Sequence, residues 1–139
     1  MDMLFIDCNI LLDWLIDRPP FSLPAERLMS LVEKKHVVGV VSPLALSNTY
    51  YILRKQTSKQ IANEFLNDCK TLFELIELSP NATLQAIEKK FKDFEDDLHY
   101  YTAISAKLDY IITRNKGDFL KERIKVCTAD EYLKMQKIE

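Results

Sequence analysis

The chain has 139 residues, 47% hydrophobic and 29% charged, which supplies one ordinary core and argues against disorder. No run approaches the roughly 18 apolar residues of a membrane span. The N-terminus lacks a basic segment followed by an apolar one, so a single cytoplasmic domain over 1–139 is expected. A net charge of −2 and a pI of about 5.7 give no sign of a broad nucleic-acid-binding surface. Cys8, Cys69 and Cys127 are too widely spaced for a zinc site or a disulfide framework and read as reduced thiols.

Met3 to Asp7 reads as a strand, followed by a short helix from Asn9 to Asp17 that ends at Arg18-Pro19-Pro20. Pro24 opens a second helix to about Lys35, with Leu28, Leu31 and Val32 on one face. Val37 to Val41 is a β-branched run of the buried-strand type. Ser42-Pro43 supplies an N-cap and a first-turn proline for a helix through Lys55. Ser58 caps the next helix, to about Leu72. Leu75 to Leu78 reads as a short strand, and Ser79-Pro80 starts a helix to Lys90. Phe94 to Lys107 is helical, with Phe94, Leu98, Tyr101 and Leu108 at core spacing. Asp109 to Thr113 and Ile124 to Cys127 are the last strands, and Thr128-Ala129-Asp130-Glu131 is a capping box for the final helix. Strands alternating with helices predict an α/β fold of three layers, a mainly parallel sheet of about five strands flanked by helices.

Two of these strands end in polar groups. Asp7 closes Met3-Leu4-Phe5-Ile6, and Arg114-Asn115-Lys116-Gly117-Asp118 follows Asp109-Tyr110-Ile111-Ile112-Thr113. Ligands of parallel α/β sheets gather beyond the carboxyl ends of the strands, so the two ends suggest a shared site. A third concentration of charge, Asp93, Glu95, Asp96 and Asp97, lies between Lys89, Lys90 and Lys92 and the later Arg114, Lys116, Lys121, Arg123 and Lys125. Acidic groups framed by cations suit a metal site that handles a phosphodiester, and suit a solvated surface equally well. Asp96 falls in the first turn of its helix, where the dipole favours an ionised carboxylate. It shares a face with Tyr100 and Ala103, and is either a capping group or a ligand for a hard cation such as Mg²⁺ or Mn²⁺.

Three segments together resemble the PIN-domain nucleases. They are Phe5-Ile6-Asp7-Cys8-Asn9-Ile10-Leu11-Leu12-Asp13, then Ser42-Pro43 through Leu53-Arg54, then Asp93-Phe94-Glu95-Asp96-Asp97-Leu98 with Ile111-Ile112-Thr113-Arg114-Asn115-Lys116-Gly117-Asp118-Phe119. The resemblance runs in order from about Met3 to Glu131. It implies a Rossmann-like sheet and a ribonuclease that binds Mg²⁺ or Mn²⁺ through acidic side chains. It also implies an RNA substrate, a toxin role with a cognate antitoxin protein as partner, and homodimers. Carried over by position, Asp7 and Asp96 are metal ligands and Asp118 is a ligand or a water-mediated partner. Thr113 and Asn115 order Asp7 or a metal water, and Asn9 and Arg114 stand beside them.

Two positions depart from that pattern. Asn48 stands where the family usually has a glutamate, and can either ligate through its amide oxygen or fix the rotamer of Asp7. Cys8 stands where threonine or serine is common, and reads as a small buried residue. The missing charge at Asn48 opens a rival reading, a catalytically degenerate domain that binds RNA or protein. A phosphotransferase with Asp7 as nucleophile fits poorly, because Asp7-Cys8-Asn9 lacks a second acid two residues on. His99 either approaches the site or packs, Tyr51 and Tyr101 read as core, and Arg54, Lys55, Arg114 and Lys116 are candidate phosphate contacts. Asp13, Glu95 and Asp97 read as outer groups of the site or as surface residues.

Overall fold

The computed structural model describes residues 1–89, 93–115 and 123–137. Within them the chain runs β1 (Met3–Ile6), α1 (Cys8–Ile16), α2 (Ser22–Glu33), β2 (Val38–Val41), α3 (Pro43–Gln56) and α4 (Lys59–Leu72). It continues through β3 (Phe73–Leu75), α5 (Pro80–Lys89), α6 (Phe94–Ser105), β4 (Tyr110–Ile112), β5 (Lys125–Cys127) and α7 (Ala129–Met135). The five strands form one sheet in the order β3-β2-β1-β4-β5, and every neighbouring pair is parallel. The expected three-layer α/β architecture is the one observed.

Alternation along the central strands divides the core in two. Leu4, Ile6, Val41 and Ile112 pack with α1, α2, α3, α4 and α7 on one face. Phe5, Val40, Ile111 and Val126 pack with α5 and α6 on the other. The helix starts follow local chemistry. Ser42 Oγ accepts the Ala45 amide at 3.0 Å ahead of Pro43, Ser58 Oγ accepts the Ile61 amide, and Thr128 with Glu131 closes a full capping box.

Two elements start two residues earlier than the sequence predicts. Helix α2 begins at Ser22, so Pro24 occupies its third position, where a missing N–H still costs the helix no bond. Strand β3 is Phe73–Leu75, directly after α4, and not Leu75–Leu78. Tertiary packing decides its register. Phe73 pairs with Gly39 of β2 and is buried, whereas Leu75 is 65% exposed. Gly39 leaves the space the phenyl ring fills, because a Cβ there would meet Phe73 Cδ1 at 2.9 Å and Val32 Cγ1 at 3.1 Å. Gly39→Ala is therefore expected to destabilise the fold by about 1–3 kcal/mol, the usual cost of overpacking. Urea denaturation of the two proteins measures it.

Candidate active site at the carboxyl ends of β1 and β4

The parallel register of β1 and β4 pairs Ile6 with Ile112, which brings the next residues, Asp7 and Thr113, side by side. The Asp7 amide donates to Ile112 O at 3.1 Å, extending the ladder by one bond. Both oxygens of the Asp7 carboxylate are then held. Oδ1 accepts the Cys8 amide at 2.8 Å, so Asp7 is the N-cap of α1, and Oδ2 accepts the Thr113 hydroxyl at 2.7 Å. Hydrogen bonds to an ionised acceptor are worth about 1.5–3 kcal/mol each, roughly twice a neutral one. Thr113 Oγ1 in turn accepts the Asn115 amide at 3.1 Å, and Asn9 Oδ1 accepts the Arg114 amide at 3.3 Å. Asp7, Asn9, Thr113, Arg114 and Asn115 thus form one laced strand end.

Helix α6 approaches this strand end with its first two turns. Asp93 caps the helix by accepting the Asp96 amide at 2.7 Å, so the capping group is Asp93 and not Asp96. Asp96 is half-buried in the first turn. Glu95 is also half-buried, and its carboxylate accepts a hydrogen bond from Asn48 Nδ2 of α3. Burial, then the charges of Asp7 and Asp93, push the Glu95 carboxyl above its ordinary range, while the Asn48 bond pulls the other way. His99, one turn further on, is buried against the Phe5 ring, with ring centroids 4.7 Å apart, and its Nε2 lies 2.8 Å from Ser42 Oγ. Because Ser42 Oγ already accepts the Ala45 amide, its proton is free to go to a neutral His99. Burial lowers the imidazole pKa, against the opposing charges of Asp7 and Asp93.

Sequence leaves Glu95 either an outer group of the site or a surface residue. It shares an i, i+4 face with His99, but every residue from Asp97 to Ala103 is buried, so α6 has no polar stripe there from which to read its phase. Asp13 and Asp97, expected as outer or surface groups, are buried. Asp13 Oδ1 pairs with Arg18 Nε at 3.0 Å and its Oδ2 with Arg114 Nε at 2.9 Å, and the Arg114 guanidinium lies 4.0 Å from the Phe21 ring centroid. The Arg114 side chain thus neutralises a buried carboxylate. A cavity of about 410 Å³ beside this pair is lined by Ile10, Pro20, Phe21 and Arg114 and does not include Asp7, Glu95 or Asp96. Tyr101 is core as expected, whereas Tyr51 is 64% exposed. Asp118, Lys116, Lys121, Lys90 and Lys92 lie outside the described residues.

Among the described residues no three acidic, histidine or cysteine side chains close into a ready cage for an ion. The donors gathered at the end of β1 are nevertheless all of the hard oxygen type, and Mg²⁺ characteristically takes one or two carboxylates and keeps several waters. The mutual repulsion of Asp7 and Glu95 is the kind of charge that such a hydrated cation neutralises. The set fits a divalent ion bound with its waters.

A family model described as PIN domain matches residues 3–117. Ribonuclease VapC1 of Aquifex aeolicus (strain VF5) is 29% identical over 142 residues, covering 94% of this chain and 93% of that protein. The DNA-bound VapBC structure from Salmonella typhimurium aligns with a TM-score of 0.68 at 15% identity, over 93% of this chain and 99% of that one. A toxin–antitoxin complex from Klebsiella pneumoniae aligns with a TM-score of 0.67 at 21% identity, over 90% and 96%. At those identities the two structures show a shared fold.

The burial of His99 carries a consequence for stability. Unfolded, the imidazole takes a proton as the pH falls below its ordinary value of 6.5, whereas folding withholds that proton, so stability is lost on acidification through that range. Between pH 7 and pH 5 the wild-type protein should lose more stability than a His99→Gln variant, which keeps a partner for Ser42 and does not titrate. Denaturant midpoints at the two pH values give the comparison.

Proposed function

The chain belongs to the PIN-domain family, and on that premise we propose that it is a Mg²⁺- or Mn²⁺-dependent endoribonuclease acting as the toxin of a toxin–antitoxin pair. The observation that carries the reading is the Asp7 carboxylate. It is pinned at both oxygens at the carboxyl end of a central strand, and Glu95 in the first turn of α6 is near enough to feel its charge. The likeness to a ribonuclease over nearly the full length of both chains supports the reaction type. The Klebsiella neighbour is part of a toxin–antitoxin complex, and a protein partner of that kind, encoded in an adjacent reading frame, is proposed here.

In this reading Asp7 and Asp96 hold the ion, and Asp118 contributes directly or through water. An ion held by these residues would supply the chemistry of an activated water near neutral pH and positive charge beside the leaving oxygen. The chain's own part is orientation. Thr113 and the Cys8 amide fix the Asp7 carboxylate, Asn115 fixes Thr113, and Asn9 ties the start of α1 to the end of β4. No reorganisation of these groups is then needed when an RNA phosphodiester arrives. One observation favours the rival reading of a degenerate binding domain, namely the uncharged Asn48 where the family usually places a glutamate.

Asp7→Asn and Asp96→Asn should each abolish Mn²⁺-dependent cleavage of RNA, by about 100-fold or more, while leaving the melting temperature within a few degrees of wild type. Chelation of the metal should silence the wild-type protein in the same gel assay. Wild-type cleavage rates in both variants would remove the reading.

A further inference from the structure

The uncharged Asn48 is in contact with a carboxylate from another helix. Asn48 is on α3 and Glu95 on α6, 47 positions apart in sequence, and the Asn48 amide donates to Glu95 Oε1. The direction of that bond follows from chemistry: turned over, the amide would set its oxygen against a carboxylate oxygen. Glu95 is half-buried one turn before His99, whose ring packs on Phe5 of β1 and whose Nε2 lies 2.8 Å from Ser42 Oγ at the end of β2, so this turn of α6 lies beside the strand ends.

The geometry points to an exchange of roles: Glu95, held by Asn48, is the carboxylate that replaces the absent glutamate and is itself a ligand of the divalent ion. This rests on the function proposed above and names a ligand that the family resemblance does not supply. In the family pattern the charge at this corner comes from the third helix, and here α3 offers only an amide. Helix α6 reaches the same corner from the opposite face of the sheet, and its first turn carries the missing charge. Asn48 fits its new task because an amide N–H can hold a carboxylate that a second carboxylate would repel. One of the roughly four lone-pair positions of Glu95 is spent on that hydrogen bond, and the others remain available to a hard cation. The count of carboxylates at the site is thereby kept, with the order of the two residue types reversed between the helices.

The test is calorimetric titration of the full-length protein with Mn²⁺ alone, without RNA, in wild type and in the Asp7→Asn, Glu95→Gln, Asn48→Ala and Asn48→Glu/Glu95→Gln variants. Circular dichroism confirms that each variant folds. Glu95→Gln should weaken Mn²⁺ binding by about tenfold or more, within the range that loss of a supporting or ligating group produces. Asn48→Ala should weaken it less, because the charge stays and only its hold is lost. The double variant, which restores the family's arrangement, should recover binding to within about threefold of wild type.

Wild-type affinity in Glu95→Gln overturns the exchange, and so does an Asn48→Ala loss as large as that of Glu95→Gln, which would make the amide itself the ligand. If the double variant does not fold, the order of the two single variants still decides. A wild-type protein that binds no Mn²⁺ removes the metal-dependent reading together with this one. Weak binding by Asp7→Asn beside unaltered binding by Glu95→Gln removes this one alone.

Discussion

The register between β1 and β4 is the constraint on which the site depends. Ile6 opposite Ile112 places Asp7 next to Thr113, and a slip of one residue would turn Asp7 to the other face of the sheet. The register is in turn held by burial, since Leu4 and Ile6 belong to one half of the core and Phe5 to the other. Both faces of the sheet are covered, so there is no solvated side to which a shifted strand could move its apolar groups. The chemistry at the strand ends is therefore secured by packing some distance away from it.

Gathering anionic oxygens at one corner works against folding, and the molecule offsets this with fixed dipoles and donors. Asp7 lies at the N-terminus of α1, and the acidic residues of α6 occupy its first turn, where partial positive charge favours carboxylates. Thr113 and Asn48 each donate to one carboxylate. These groups do not cancel everything: burial first, and then the charges of Asp7 and Asp93, still hold the Glu95 carboxyl above its ordinary range. A divalent cation, as proposed for this corner, would relieve that repulsion. Beside it, Asp13 shows the contrasting solution, a buried carboxylate matched by two guanidinium groups. There burial still raises the Asp13 carboxyl above its ordinary range, against the opposing charges of Arg114 and Arg18.

Much of the architecture was legible because its signals are local. Ser42-Pro43, Ser58 and the Thr128 to Glu131 box mark helix starts through atoms a few residues apart, and all three caps form. The apolar runs of β1, β2 and β4 are long enough to declare buried strands. Strand β3 starts two residues earlier than its local apolar run predicts, because its position depends on Phe73 finding the gap above Gly39 of another strand. The start of α2 was late by two residues, because proline marks the first turn of a helix and not only its first position.

At the candidate site, residue type and strand ends point to Asp7 and Thr113, which the fold brings into hydrogen-bond contact, and to the acidic start of α6. Which acid of α6 meets Asp7 was another matter. Composition and spacing leave Glu95, Asp96 and Asp97 nearly equivalent, and a helix buried through its middle turns carries no polarity contrast to orient it. The pairing of Asn48 with Glu95 joins two helices that lie on opposite sides of a sheet, each within hydrogen-bond reach only after both have docked. Short-range chemistry thus names the elements and the kinds of atom at their ends. Partners distant in the chain are chosen by the packing that brings them together, because no local property of either residue encodes the other.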